Sequence, residues 1–346
     1  MKLKKEFQNK VARRIYYRVI VNKKVSKKDA GVRRIYLFGV PEHQNYGDIA
    51  IFIAEMNFLK KFLPNFEVIT IPERFVAEDI FAVKEVIDDS DIIALHGGGN
   101  MGDVWPFVDM IRQDVIRNFG SRYRIISFPQ SVSYNNDLWV EEMQQVLKNC
   151  VNISAFARDA TSFKIMKDIF PNNVKCFLVP DIVMSLNKVK PSLSRNGVLF
   201  LMRRDREKLQ NPEFNGIKDY VTKKYRYKIS DTVGDIWYRI DEKTASKRVD
   251  QKLKELQKSK LVITDRLHGM IFAYITGTPA LVFDNNNHKI KNFYNTWIKG
   301  KDNSIFLVNN GVSNEATKFI DDAMANNIEI DKIDLDYSSL KKEFLL

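Results

Sequence analysis

Ile35-Tyr36-Leu37-Phe38-Gly39-Val40 is a short apolar run, and the polar loop Pro41-Glu42-His43-Gln44-Asn45-Tyr46-Gly47-Asp48 separates it from Ile49 to Phe62, a longer apolar-rich stretch. A buried strand, a loop and a helix form the opening unit of an α/β fold. Glu67 to Ile71 predicts the next strand, Glu78 to Val86 a helix and Asp91 to Leu95 a third strand. Strand and helix alternating at this spacing build βαβ units and a mostly parallel sheet, whose ligands lie at the carboxyl ends of the strands.

Further strands are expected at Tyr123 to Phe128, Ile153 to Ala157 and Lys175 to Val179. The polar stretch from Leu186 to Gly197 then reads as a linker. Beyond it, strands are expected at Val198 to Met202, Tyr227 to Ser230 and Pro279 to Phe283, and helices at Ala245 to Ser259 and 314–326. A chain of 346 residues exceeds the size of one growing core. The expected organisation is a basic helix over residues 1–30, an α/β domain over 31–187, a linker over 188–197, a second domain over 198–310, and a closing helix and tail over 311–346.

The formal net charge of +12 is unevenly spread, because residues 1–34 hold thirteen Lys and Arg against Glu6 and Asp29. Leu3, Phe7, Val11, Ile15 and Val19 make one helical stripe within that segment. It suits packing on a domain or, through residues 1–28, lying on an anionic membrane surface. No basic and aromatic interleaving continues into the folded part, so nucleic acid is not expected as a partner. Two cysteines, Cys150 and Cys176, give no disulfide framework, and neither a secretory signal nor an apolar span is present. A cytoplasmic protein follows, one that would be peripheral at the inner face of the plasma membrane if the basic helix binds there.

Polar groups collect at the expected strand ends: Asn45 and Asp48, His96 and Asn100, Gln130, Arg158, Arg203, Arg266 and His268. They come from both halves, which points to a cleft between domains. Arginines with histidines suit a small dianion, since guanidinium binds carboxylate or phosphate bidentately and imidazole moves protons near neutral pH. Three glycines, Gly97 to Gly99, predict a tight turn that lets backbone approach a ligand, and lack the spacing of either nucleotide-binding loop. Arg158 has an alternative role in a surface pair with Asp159, and Asn45 in an Asx turn. No His-x-x-x-His and no Cys and His cluster occurs, so no metal is expected.

Five motifs in order, Asn45-Tyr46-Gly47-Asp48, His96 to Asp103, Pro129-Gln130-Ser131, Arg158-Asp159 and Asp265-Arg266-Leu267-His268-Gly269, resemble those of the polysaccharide pyruvyl transferases over roughly residues 35 to 285. The resemblance implies two Rossmann-like domains in a glycosyltransferase-B-like arrangement. It also implies phosphoenolpyruvate as co-substrate, with no other cofactor, and as acceptor a sugar of a bacterial surface polysaccharide or its lipid-linked precursor, which becomes a pyruvate ketal. Carried over by motif, Arg266, Leu267, Arg158, Gly98, Gly99 and Asn100 would bind the donor. His268 would deliver a proton while His96 orients substrate or acts as base, two roles that could be exchanged. Asn45, Asp48, Gln130 and Arg203 would serve the acceptor or shape loops. A nucleotide-sugar glycosyltransferase of the same architecture is the alternative, disfavoured because no two glutamates are eight positions apart, with seven residues between them. A non-catalytic protein binding through the basic N-terminus leaves the strand-end cluster unexplained.

Overall fold

A computed structural model describes residues 25–42, 45–189, 193–203, 212–234, 241–308, 313–331 and 333–346. The basic helix expected in residues 1–30 lies almost wholly outside them. Within them, Val25 is buried in the first domain, and Lys28 bridges Asp88 and Asp91 at 2.5 and 2.8 Å.

The first sheet takes β1 (Arg33–Val40), β2 (Phe66–Pro72), β3 (Ile92–Leu95), β4 (Gly98–Gly102), β5 (Arg124–Ser133), β6 (Ile153–Ala157) and β7 (Val174–Leu178). Its order is β2-β1-β3-β5-β6-β7, with every pair parallel and β4 joined to β5. The second sheet orders β8 (Val198–Leu201), β9 (Tyr227–Ser230), β10 (Leu261–Thr264), β11 (Ala280–Phe283) and β12 (Ile305–Val308) as β12-β11-β10-β8-β9, again all parallel. Each is an open doubly wound sheet with one topological switch point, between β1 and β3 in the first and between β8 and β10 in the second. Such switch points are where these folds place ligands.

One expectation changes here. The triple glycine is not simply a turn, because after a break at His96-Gly97 the chain resumes as β4 and pairs Gly98 with Gln130 and Gly102 with Ser133. β5 is ten residues long, so β3 alone leaves its carboxyl half without a partner on that side, and β4 supplies one. Gly98 absorbs the break at φ 131°.

The helix after β1, α1 (Tyr46–Phe62), begins three residues earlier than its apolar stretch suggests, because Asn45 caps it and accepts from the Gly47 amide at 3.0 Å. It is buried nearly all round. A helix apolar on every side belongs inside a protein, and α1 lies between the first sheet and α7 (Glu242–Gln257) of the second domain. A single hydrophobic cluster accordingly runs from Leu37 and Phe128 through α1 to Leu253 and Met270. Outer layers close each sheet's far face. The first uses α2 (Val76–Lys84), α3 (Pro106–Phe119), α4 (Asp137–Lys148) and α5 (Ala160–Ile169), and the second uses α6 (Pro212–Lys224) and α10 (Ser313–Ala325). The remaining helices are α8 (Leu267–Thr276), α9 (Lys289–Phe293), which runs on as a wider turn over Tyr294–Ile298, and α11 (Ser338–Leu345).

The chain passes between domains twice. It leaves the first after the turn Ile182–Ser185. It returns beyond residue 326 to lay α11 on the first domain, where Phe344 meets Phe128 at 5.4 Å and the Glu343 carboxylate accepts from Ser154 at 2.6 Å. The two passages flank a groove of about 270 Å³ lined by Met184, Asn187, Tyr274, Ile333 and Leu335. Among the described residues no helix is long and apolar enough to cross a membrane.

Candidate active site

The carboxyl ends of both sheets meet at the domain border. The Tyr46 amide at the start of α1 donates to the Thr232 carbonyl after β9 at 2.8 Å, and Asn45 forms a bridge with Val233. Beside this seam, His268 lies in the first turn of α8 with its imidazole against Gly47, where any Cβ would collide with Nδ1. The amino ends of α1 and α8, helices of 17 and 10 residues, therefore converge. Each contributes partial positive charge and amide donors.

Asp181 is the buried hub. Its Oδ2 accepts from Arg158 Nη1 at 2.7 Å and lies 3.6 Å from His268 Nε2, while its Oδ1 takes the Val183 amide. Burial alone would push this carboxyl up, but His268 and Arg158 hold it well below the usual carboxylate range. Arg158 is 2% exposed and also donates to Ser131 Oγ at 2.8 Å. It does not pair directly with Asp159, whose carboxylate caps α5 and accepts from Ser131. Arg158 Nη2 comes within 2.6 Å of where a Gly99 side chain would begin, so glycine keeps that approach open.

A second carboxylate and imidazole pair stands behind the glycines. His96 Nδ1 is 2.7 Å from Glu55 Oε2, and Glu55 Oε1 accepts from the Gly97 amide. Burial disfavours the imidazolium, but the Glu55 carboxylate outweighs it and raises the His96 pKa. His96 Nε2 is buried without a hydrogen-bond partner.

The remaining expected residues divide. Asp48 Oδ1 and Asn100 Nδ2 each lie 3.9 Å from where a Gly98 side chain would start, and Arg112 fixes Asn100 through its Oδ1 at 2.7 Å. Gln130 is fully buried and donates to the His96 carbonyl, a loop-shaping contact, as is the cap made by Asn45. Arg266 is held by Asp231, with Nη2 to Oδ1 at 2.8 Å. Leu267 packs in the shared core. The Arg203 amide donates to Asp265, tying the ends of β8 and β10.

Four residues here were not among the expected strand-end groups, although Asp181 and Asp231 follow β7 and β9. Glu55 left a signal, as a charge within the apolar Ile49 to Phe62 stretch. Asp181 follows a strand but carries no motif, and Asp231 sits in an ordinary polar loop. Lys289, whose Nζ donates to the Gly99 carbonyl at 2.7 Å from the opposite domain, left none. Among the described residues, no group of three or more His, Cys, Asp and Glu is placed to hold a metal ion.

Residues 45–287 match the family described as polysaccharide pyruvyl transferase. General stress protein 30 of Bacillus subtilis is 36% identical over 87% of this chain and 89% of its own length. Pyruvyl transferase 1 of Schizosaccharomyces pombe is 32% identical over 78% of this chain and 71% of its own. A solved Listeria monocytogenes structure, provisionally described as a UDP-N-acetylglucosamine 2-epimerase, superposes with a TM-score of 0.56 at 14% identity, over 91% of this chain and 95% of that one. At that identity the likeness shows the fold alone, the glycosyltransferase-B-like pairing of two Rossmann-like domains.

Proposed function

Because the chain belongs to the polysaccharide pyruvyl transferase family and is a pyruvyltransferase, we propose that its donor is phosphoenolpyruvate and its acceptor a sugar of a bacterial surface polysaccharide or of a lipid-linked precursor. The observation that carries this reading is the arrangement around Gly99. Arg158 from one domain and Lys289 from the other converge on it, beside His268 and the amino ends of two helices. Such a site fits a compact anion carrying both phosphate and carboxylate.

In this mechanism Arg158, Lys289 and Arg266 hold the two anionic groups. His268, backed by the Asp181 carboxylate, gives its proton to the donor's methylene carbon, and the adjacent carbon becomes electrophilic. One sugar hydroxyl adds there and loses its proton, the bond to the phosphate oxygen breaks, and inorganic phosphate leaves. A second hydroxyl then adds and loses its proton, closing the ketal. His96 has a raised pKa and an unpartnered Nε2, which suits a cation donating to a donor oxygen better than a base.

The test is phosphate release from phosphoenolpyruvate with candidate sugar acceptors, together with the mass gained by the sugar. His268→Ala is expected to lower turnover about a hundredfold or more while phosphoenolpyruvate still raises the melting temperature. Near-normal turnover would overturn the assignment of His268. Stabilisation by a nucleotide sugar in place of phosphoenolpyruvate would turn the assignment to a glycosyltransferase.

A further inference from the structure

A cavity of about 200 Å³ lies at the carboxyl ends of β1 and β2, across the switch point from Arg158, and is closed from the second domain by the start of α7. Phe52 and Met56 of α1 and Thr70 of β2 give it a partly apolar floor, and Glu42, Asp241 and Glu242 give it an acidic wall. No Lys, Arg or His lines it among the described residues.

The three carboxylates differ in how far they are occupied. Asp241 caps α7, accepting from the Thr244 amide and hydroxyl at 3.0 and 2.7 Å. Glu242 takes the Lys60 ammonium at 2.5 Å. Glu42 is 7% exposed, yet its Oε2 accepts no hydrogen bond. Its nearest cation, the exposed Arg74, stands 3.4 Å away as a loose ion pair. A buried carboxylate oxygen without a donor is costly unless something supplies one.

The cavity is also tied to the reacting groups. Asp48, Phe52, Glu55 and Met56 share one face of α1 by their three- and four-residue spacing, so the helix that holds His96 through Glu55 also floors the cavity.

We propose that this cavity is the acceptor subsite and takes one uncharged or amino sugar ring, with Glu42 accepting from a ring hydroxyl. The proposal rests on the pyruvyl-transfer reading given above. An apolar floor under a hydrogen-bonding rim suits the two faces of a pyranose, and the acidic wall repels uronates and phosphates. Any phosphate linking the acceptor to a lipid or nucleotide must then lie outside the cavity.

The experiment is saturation-transfer NMR on the full chain with four probes: methyl β-galactopyranoside, galactosamine, galacturonate and galactose 1-phosphate. The first two are expected to bind, and the last two at least about tenfold more weakly. Glu42→Gln should weaken the methyl glycoside about tenfold, as loss of a charge-assisted hydrogen bond does. Thr70→Phe, which fills the cavity from an edge strand, should abolish its binding. Both variants should keep the thermal shift given by phosphoenolpyruvate, which also reports that they fold. Equal binding of galactose 1-phosphate or galacturonate, unchanged binding in both variants, or no binding of either neutral or amino probe to the wild type would overturn the proposal. A wild type that binds the sugars as described but shows no shift with phosphoenolpyruvate would support the cavity and remove the donor reading instead.

Discussion

At the scale of single residues, the site is two imidazoles, each steered by a different carboxylate, His96 by Glu55 and His268 by Asp181, which also takes Arg158. Glu55 raises the His96 pKa above the ordinary histidine value, against the opposing effect of burial. Because the folded value is raised, the stability this pair contributes is fully present below the unfolded histidine value of about 6.5 and is lost as pH rises through the folded value. Donor affinity should follow the same sign, holding above pH ~6.5 and weakening only at higher pH. In Glu55→Gln the weakening should move down toward an ordinary histidine value, and comparing the two proteins cancels the donor's own titration. Titrating phosphoenolpyruvate across pH in both proteins checks this, and identical profiles would remove the role given to His96. His96 and Arg158 could be named from sequence because each follows an apolar run whose end must face a ligand or a loop. Their carboxylates could not, since Glu55 is presented by a helix 41 residues before His96 and Asp181 by a turn 23 residues after Arg158.

At the scale of elements, the strands were legible wherever both faces are buried, as in Ile35 to Val40 and Val198 to Leu201, because continuous apolar sequence has few other uses. β4 was not, since glycine carries no strand signal and its pairing depends on the length of β5. The eight-residue α11 was missed for a related reason: so short a helix is held by what it packs on, not by its own propensity. Phe344 is 1% exposed and contacts Phe58 and Phe128. Phe344→Ala should therefore destabilise the protein by about 3–5 kcal/mol in denaturant unfolding. Leu345→Ala, at a residue 57% exposed, should change stability by less than about 0.5 kcal/mol. Equal effects of the two would mean that α11 does not dock as described.

At the scale of the whole molecule, two domains share one hydrophobic cluster and touch again around the site, through Lys289 to Gly99 and through Trp297 Nε1 to the Arg158 carbonyl at 2.8 Å. Two domains were readable from length and the polar stretch after Leu186, but which residues cross the border was not, because no local pattern records it. Lys289→Met should weaken phosphoenolpyruvate binding about tenfold or more, in line with the loss of a charged hydrogen-bond donor. Calorimetric titration reads this directly, and an unchanged dissociation constant would take Lys289 out of the donor site. The return of α11 to the first domain has a mechanical consequence. A chain that crosses once can swivel, whereas two crossings beside one groove act like a pair of pins on a door. Opening the border then becomes a swing about the line joining them, with the Gly99 side, held by Lys289, as the leading edge.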